Sequence, residues 1–261
     1  LWKCPSKGNR LIQMRYAQQL DELREYSEER RKIGDMLAMA DANLQEVDLL
    51  NLIDTESLGK IQFADCVYDM VAQRQVDHSP SFYSTKAIGR KFKAREDIPQ
   101  SAFDFVHRIM ENNFDPDPDI SAQKSDYFLR MIGYAMYGIN KERRFLFGLG
   151  PSATGKGVLA ELVSSGFGSY VITTDPSIYT KKDFSNSSAP KPEIRRLHAV
   201  RISWSQEMNM NKPIDGNNIK TYASGGDKTA CRTLHKEEVE IRITCLHVCC
   251  AQDHPNIEPL D

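Results

Sequence analysis

The chain has 261 residues, and its 34 Lys and Arg against 36 Asp and Glu give a formal net charge of −2. This excludes a globally basic protein held to nucleic acid by bulk charge, while a local basic site stays compatible, because counterion release depends on the cations at the contact. Hydrophobic residues at 40% and charged residues at 27% exclude an intrinsically disordered chain and suit one large or two small globular domains; no apolar run approaches the roughly 18 residues of a membrane span.

Residues 1–55 read as helical: Leu20, Leu23, Ile33, Met36 and Leu37 recur at helical spacing, and the mixed-sign run Glu28-Glu29-Arg30-Arg31-Lys32 reads as a solvated helix face. The start at Leu1-Trp2 shows no signal peptide, so the chain reads as a non-secreted fragment or internal segment. Between Lys60 and Phe92 the pattern shortens into strand-like pieces, Ile61-Gln62-Phe63 and Val67-Tyr68-Asp69-Met70, with a break at Ser79-Pro80-Ser81. Asp115-Pro116-Asp117-Pro118-Asp119 is the clearest punctuation, since two prolines remove two backbone donors and push the preceding residues out of the helical region. It reads as a linker, which divides the chain into a smaller, mostly helical region with a few short strands (1–117) and a core (118–261). Ser121 then offers an N-cap, and Tyr127, Phe128, Met131, Ile132, Ala135, Met136 and Ile139 form one apolar stripe of core packing.

The strongest chemical signal follows. Arg144-Phe145-Leu146-Phe147-Gly148 is a buried-strand candidate that runs into Gly150-Pro151-Ser152-Ala153-Thr154-Gly155-Lys156-Gly157 and then the helical Val158-Leu159-Ala160-Glu161-Leu162-Val163. Strand, Gly-rich loop and helix in that order is the context of a P-loop. A polyphosphate needs several converging N–H groups, which a glycine loop can supply without a clashing Cβ. The following helix points its positive end at the anion, and Lys156 adds a point charge. Residues 150–158 are therefore the candidate polyphosphate contacts. Position 157, where the usual pattern has a Mg²⁺-binding Ser or Thr, is Gly.

Ala199-Val200-Arg201-Ile202-Ser203-Trp204-Ser205-Gln206-Glu207 reads as an apolar strand ending in a carboxylate, and Glu207 is either an exposed strand-end residue or a group that holds Mg²⁺ or polarises water. Further on, a short helix reaches Gly225-Gly226-Asp227, followed by the basic Lys228 and Arg232 and by Leu234-His235-Lys236-Glu237-Glu238-Val239, which reads either as a hairpin with a charged tip or as a plain turn before a buried strand. A long β run from Ile241 to Cys250 returns to the core. Six cysteines (Cys4, Cys66, Cys231, Cys245, Cys249, Cys250) are too few for a disulfide framework at this length. Four of them lie near His235, His247 and His254, which invites a zinc reading. Cys245-x3-Cys249-Cys250 falls in a β run, however, where side chains alternate between faces, so buried reduced thiols are the expectation.

With these pieces in order, the sequence resembles superfamily 3 viral helicases, in particular the helicase half of the primase–helicases of large DNA viruses and related phages. The matching pieces are Gly150 to Lys156, Glu207, the segment Lys220, Gly225, Gly226, Asp227 and Arg232, and Gln252-Asp253-His254-Pro255. Upstream, Phe63-Ala64-Asp65-Cys66-Val67-Tyr68-Asp69-Met70 and Ile132-Gly133-Tyr134-Ala135-Met136 also fit. The resemblance implies an α/β P-loop NTPase core of the AAA+ kind, with a mainly parallel sheet, behind a collar-like N-terminal region. It further implies a ring, often a hexamer, with ATP and Mg²⁺ between subunits. Single-stranded DNA would be touched by His235 and Lys236 with Lys228 and Arg232 near them, and other replication proteins would be partners inside the host cell. Lys156, Glu207 and Gln252 would be the catalytic set, with Glu207 on Mg²⁺ and Gln252 near the γ-phosphate.

Four departures set the expectation for activity. Gly157 lacks the hydroxyl, Gln206 stands where many relatives have an acid, Gln252 replaces an Asn, and the sequence ends at Asp261, before the place where relatives carry an arginine finger. Weak or absent ATPase is expected from these residues alone. A nucleotide-binding module retained for ring assembly or DNA binding is the alternative reading, and a small-molecule P-loop kinase is disfavoured by the Gly-Gly-Asp segment.

Overall fold

The computed structural model describes residue 54 and residues 57–79, 82–181, 192–208, 212–231 and 239–259. All of them belong to one compact unit, Asp54–Asp261. Asp54 apart, the helical reading of residues 1–55 lies outside the described residues.

The unit begins with an antiparallel meander of β1 (Lys60–Gln62), β2 (Val67–Asp69) and β3 (Arg74–Val76), in which Ile61 pairs with Tyr68 and Tyr68 with Gln75. The expected short strands are therefore present. Two helices follow, α1 (Gln100–Phe114) and α2 (Pro118–Tyr137). The proline-rich punctuation is the tight turn between them. Asp117, rather than Ser121, is the N-cap of α2: its carboxylate accepts the Asp119 and Ile120 N–H groups at 2.9 and 3.3 Å, and Pro118 occupies the first turn, where its missing donor costs nothing. Ser121, one turn in, is buried and donates its hydroxyl to the Glu111 carbonyl of α1. Side chains on both sides of the turn, Met110 and Phe128 among them, enter the same apolar cluster, so the turn pins two helices together. Of the expected stripe, Phe128, Met131, Ile132, Ala135 and Met136 are buried, whereas Tyr127 is on the outside.

The centre of the fold is a four-stranded parallel sheet of β4 (Phe145–Leu149), β5 (Val171–Thr173), β6 (Ile202–Ser205) and β10 (Leu246–Ala251), in the spatial order β4-β10-β6-β5. The helix α3 (Lys156–Phe167) connects β4 to β5, and α4 (Pro192–Arg196) precedes β6. Alternation along the strands divides their side chains between two apolar clusters. Ile202, Trp204, Leu246, Val248 and Cys250 pack with α1, α2 and α3. Cys245, Cys249 and Ala251 belong to the other side, with Tyr179, Leu197, Ile214, Tyr222 and Ile243. Burial on both sides is what lets a parallel sheet read as a nearly unbroken apolar run. Each fully buried Leu or Ile contributes about 1.5–3 kcal/mol, whereas exposed ion pairs such as Arg130–Asp126 contribute at most about 1 kcal/mol each. The sheet is held by its core.

Between β6 and β10 the chain forms β7 (Ile214–Asp215), α5 (Gly216–Tyr222), β8 (Lys228–Cys231) and β9 (Val239–Arg242), and β11 (Ile257–Glu258) returns to pair with β7. β8 and β9 make the expected antiparallel hairpin. The long β run predicted from Ile241 to Cys250 is two strands, interrupted at residues 243–245, because its first part pairs with β8 and its second enters the parallel sheet.

A buried arginine ties the pieces together. Arg201, 3% exposed, donates to the Tyr137 carbonyl at the end of α2 (2.9 Å) and to the Ser57 carbonyl (2.7 Å), and it lies over the Tyr170 ring at 5.6 Å. The free carbonyls of a helix C-terminus carry partial negative charge, which makes them good partners for a guanidinium. The next residue, Gly138, caps α2 at φ 96°, and a Cβ there would overlap the Arg201 guanidinium. Burial lowers the Arg201 pKa from its ordinary value.

Candidate nucleotide-binding site

The carboxyl ends of β4, β10 and β6 converge on one side of the sheet. The Gly150 N–H donates to the Ala251 carbonyl (3.2 Å), and the Met208 N–H donates to the Cys250 carbonyl (3.1 Å). These two bonds fasten the start of the Gly-rich loop and the segment after β6 to the end of β10. The result is a cavity of about 650 Å³ lined by residues 152–157, 206–208 and 250–253. Its size falls in the range of small-ligand sites, and its place beyond the carboxyl ends of parallel strands is where open α/β sheets bind ligands.

The Gly-rich loop joins β4 to α3. Gly155 is the N-cap of α3 with φ 86°, a left-handed conformation that suits glycine, and it has no side-chain cap. The first intrahelical bond runs from Leu159 N–H to Gly155 C=O at 3.0 Å. The N–H groups of residues 155–158 therefore have no intrahelical acceptor. The Asn113 side chain of α1 fills the place that a Cβ on Gly155 would occupy. Lys156 opens α3 and folds its ammonium back over the loop, donating to the Gly150 carbonyl at 2.5 Å, the Pro151 carbonyl at 2.7 Å and the Thr154 hydroxyl at 3.2 Å. Ala153 is held at φ 62°, a conformation costly for a residue with a Cβ. Gly157 is exposed, and a Cβ added there meets no heavy atom within 4 Å.

Of the predicted catalytic residues, Lys156, Glu207 and Gln252 all line this cavity. So do residues 152–157 of the predicted loop, with Gly150 and Pro151 bonded to Lys156 beneath. Val158 stands exposed on the first turn of α3. Lys228 is elsewhere, on β8, in an exposed ion pair with Glu240 at 2.7 Å. Arg232, His235 and Lys236 lie outside the described residues. Sequence reasoning missed Asp253 as a site residue. It lines the same cavity as Glu207, and its position next to Gln252 was the available signal.

The lining fits a polyphosphate: uncapped amides at a helix start, an ammonium that can leave loop carbonyls for a stronger acceptor, and room for a nucleotide tail. The donor set also suits Mg²⁺, which keeps several waters and takes one or two carboxylates with phosphate oxygens. Among the described residues no three His, Cys, Asp or Glu side chains cluster as a ready-made metal cage. Cys249 and Cys250 face opposite sides of the sheet. Burial raises the Cys250 thiol pKa, with Lys156 pulling the other way. On the far side of the sheet, the neutral His247 ring donates from Nε2 to the Tyr222 carbonyl (3.2 Å), accepts at Nδ1 from the Tyr179 hydroxyl (2.7 Å) and stacks on Phe145, and burial lowers its pKa to about 4.

No family model matches the chain. It is 28% identical over 211 residues to V13 of Sputnik virophage, a match covering 79% of this chain and 26% of that protein. It is 30% identical over 122 residues to L207/L206 of Acanthamoeba polyphaga mimivirus, covering 47% of this chain and 12% of that protein. The chain thus spans about a quarter of the first relative and about an eighth of the second. The A form apo structure of the NrS-1 C terminal region is 19% identical with a TM-score of 0.44, covering 60% of this chain and 34% of that one. Along most of its length, then, the chain is similar to a viral protein that carries the name helicase.

Proposed function

We propose that the chain is the nucleotide-binding core of an ATP-dependent DNA helicase in a viral replication protein. The observation that carries the reading is the meeting of Lys156, Glu207 and Gln252, far apart in sequence, in one cavity at the carboxyl ends of parallel strands. The names of the two relatives support it. The insertion of β10 between the P-loop strand and the Glu207 strand supports a core of the AAA+ kind. In this reading the core assembles as a ring with ATP between neighbouring copies.

In this reading the amides of residues 155–158 and the Lys156 ammonium hold the β- and γ-phosphates. Glu207 accepts a proton from a water whose oxygen attacks the γ-phosphorus, and the bond to the bridging oxygen breaks to leave ADP and phosphate. Gln252 offers its amide to the γ-phosphate. Glu207 and Asp253 would hold Mg²⁺, which when bound neutralises phosphate charge. In the same reading Lys228 on β8, with Arg232, His235 and Lys236 in the sequence between β8 and β9, contacts single-stranded DNA, whose backbone can be tracked by cations without reading sequence.

A second reading, nucleotide binding without efficient hydrolysis, is favoured by Gly157 and by Gln206 beside Glu207. Calorimetry with ATP and turnover assays with and without single-stranded DNA separate the two, with Lys156→Ala as control. DNA-stimulated turnover lost in that variant supports the helicase. Uptake without turnover supports the second reading, and no nucleotide uptake by the folded protein refutes both.

A further inference from the structure

Residues 86–95 contain Lys86, Arg90, Lys91, Lys93 and Arg95 and no acid, in a chain whose net charge is only −2. Residues 91–94 run without regular secondary structure into the 3₁₀ turn Arg95–Asp97. Exposure alternates along them: Lys91, Lys93 and Arg95 are exposed, and Phe92 and Ala94 are half-buried. That is the period of an extended chain, and it sets three cations on one side at intervals of about 6–7 Å.

The backing is firm. Phe92 stacks on Tyr68 (centroids 5.1 Å apart, planes at 12°) and meets Phe63 edge-on at 5.1 Å. Its N–H donates to the Asp65 carboxylate at 2.9 Å. That bond is the main reason the Asp65 pKa lies below its ordinary value, with Lys91 adding to it. Arg90 lies over Phe63 at 5.6 Å and Arg95 over Phe103 at 4.6 Å, which leaves both guanidinium rims open. Among the described residues, none of Arg90, Lys91, Lys93 and Arg95 forms an ion pair within 4 Å, although Glu96 and Asp97 follow directly.

We propose that residues 90–95 are a nucleic-acid contact that grips successive phosphates of a single strand. A row of evenly spaced cations suits a polymer with evenly spaced charge. A membrane-binding segment would present apolar side chains to the bilayer, whereas the one large apolar side chain here, Phe92, is turned inward. The row shares no residue with the nucleotide cavity or the β8–β9 hairpin, so it stands whether or not ATP binds.

The test is fluorescence anisotropy on the full chain with labelled oligothymidine, a mixed-sequence single strand and a duplex, each over a salt series. In the variant Lys91→Ala/Lys93→Ala/Arg95→Ala the slope of log K against log salt for single strands should become shallower by about 2, three contacts at about 0.7 each, with affinity at low salt down by about ten-fold or more. Lys91→Arg/Lys93→Arg should bind as the parent does. Should the triple variant fail to fold, Lys93→Ala alone should still lower the slope by about 0.7. An unchanged slope in a folded variant overturns the proposal. So does binding confined to duplex, or to phosphatidylserine vesicles, by the parent chain.

Discussion

Gly157→Ser places a hydroxyl at the point where a P-loop usually offers one to Mg²⁺, and the proposed function predicts what that should do. The backbone at position 157 is helical, the site is exposed, and a new Cβ meets no heavy atom within 4 Å. No steric penalty is expected. Serine is a better helix residue than glycine by roughly 0.5 kcal/mol, which in a chain of this size raises the unfolding midpoint by about 1–2 °C. In the proposed nucleotide site the larger effect is on the ligand. Exchanging one metal-bound water for a fixed hydroxyl is comparable to one net hydrogen bond, about 1 kcal/mol, or roughly five-fold in affinity. Calorimetric titration with ATP in the presence of Mg²⁺ should show that gain, and the same titration in a chelator should not. Equal gains under both conditions, or none, would show that position 157 does not face the metal and that the P-loop assignment is misplaced.

Three further outcomes follow from the geometry. Ala153→Gly releases a residue held at φ 62° and should stabilise the chain by about 0.5–1 kcal/mol in denaturant melts, because glycine adopts the left-handed conformation freely. Arg201→Met strands the Tyr137 and Ser57 carbonyls and should cost about 2–3 kcal/mol, seen as a midpoint lower by roughly 4–10 °C. His247 is neutral when folded, with a pKa of about 4 against an ordinary value of 6.5, so the unfolded chain binds its proton first as pH falls. Its contribution is therefore complete above pH 6.5 and is lost as pH drops toward 4, by about 3 kcal/mol in all. His247→Gln should flatten the melting temperature between those pH values, and an unchanged pH profile would refute the assignment.

The Gly-rich loop between β4 and α3 was legible because its signal is local: strand, glycines and lysine are adjacent in sequence, and Gly155 adopts the conformation that a helix-opening glycine can take. Glu207 and Gln252 could be named only through the order of motifs, and their meeting depends on parallel pairing of β4, β10 and β6, which no local pattern records. Asp253 was read only as part of the Gln252–Pro255 match and was given no role, because a carboxylate on a loop carries no periodicity. The N-cap moved from Ser121 to Asp117 because a proline that breaks a helix interior is welcome at its start. The continuous β run failed at residues 243–245 because apolar character reports burial and is silent about which sheet a residue joins. Asn113, which packs on Gly155 from α1, had no sequence signature at all.

β10 has a mechanical consequence. Its first residue comes four positions after the end of β9, its last precedes Gln252, and it is bonded along both flanks, to β4 and to β6. A strand braced in that way does not bend between its ends. Its six residues span about 20 Å and share any load at the cavity end with β4 and β6, so its two ends keep a fixed separation, with residues 243–245 linking it to β9.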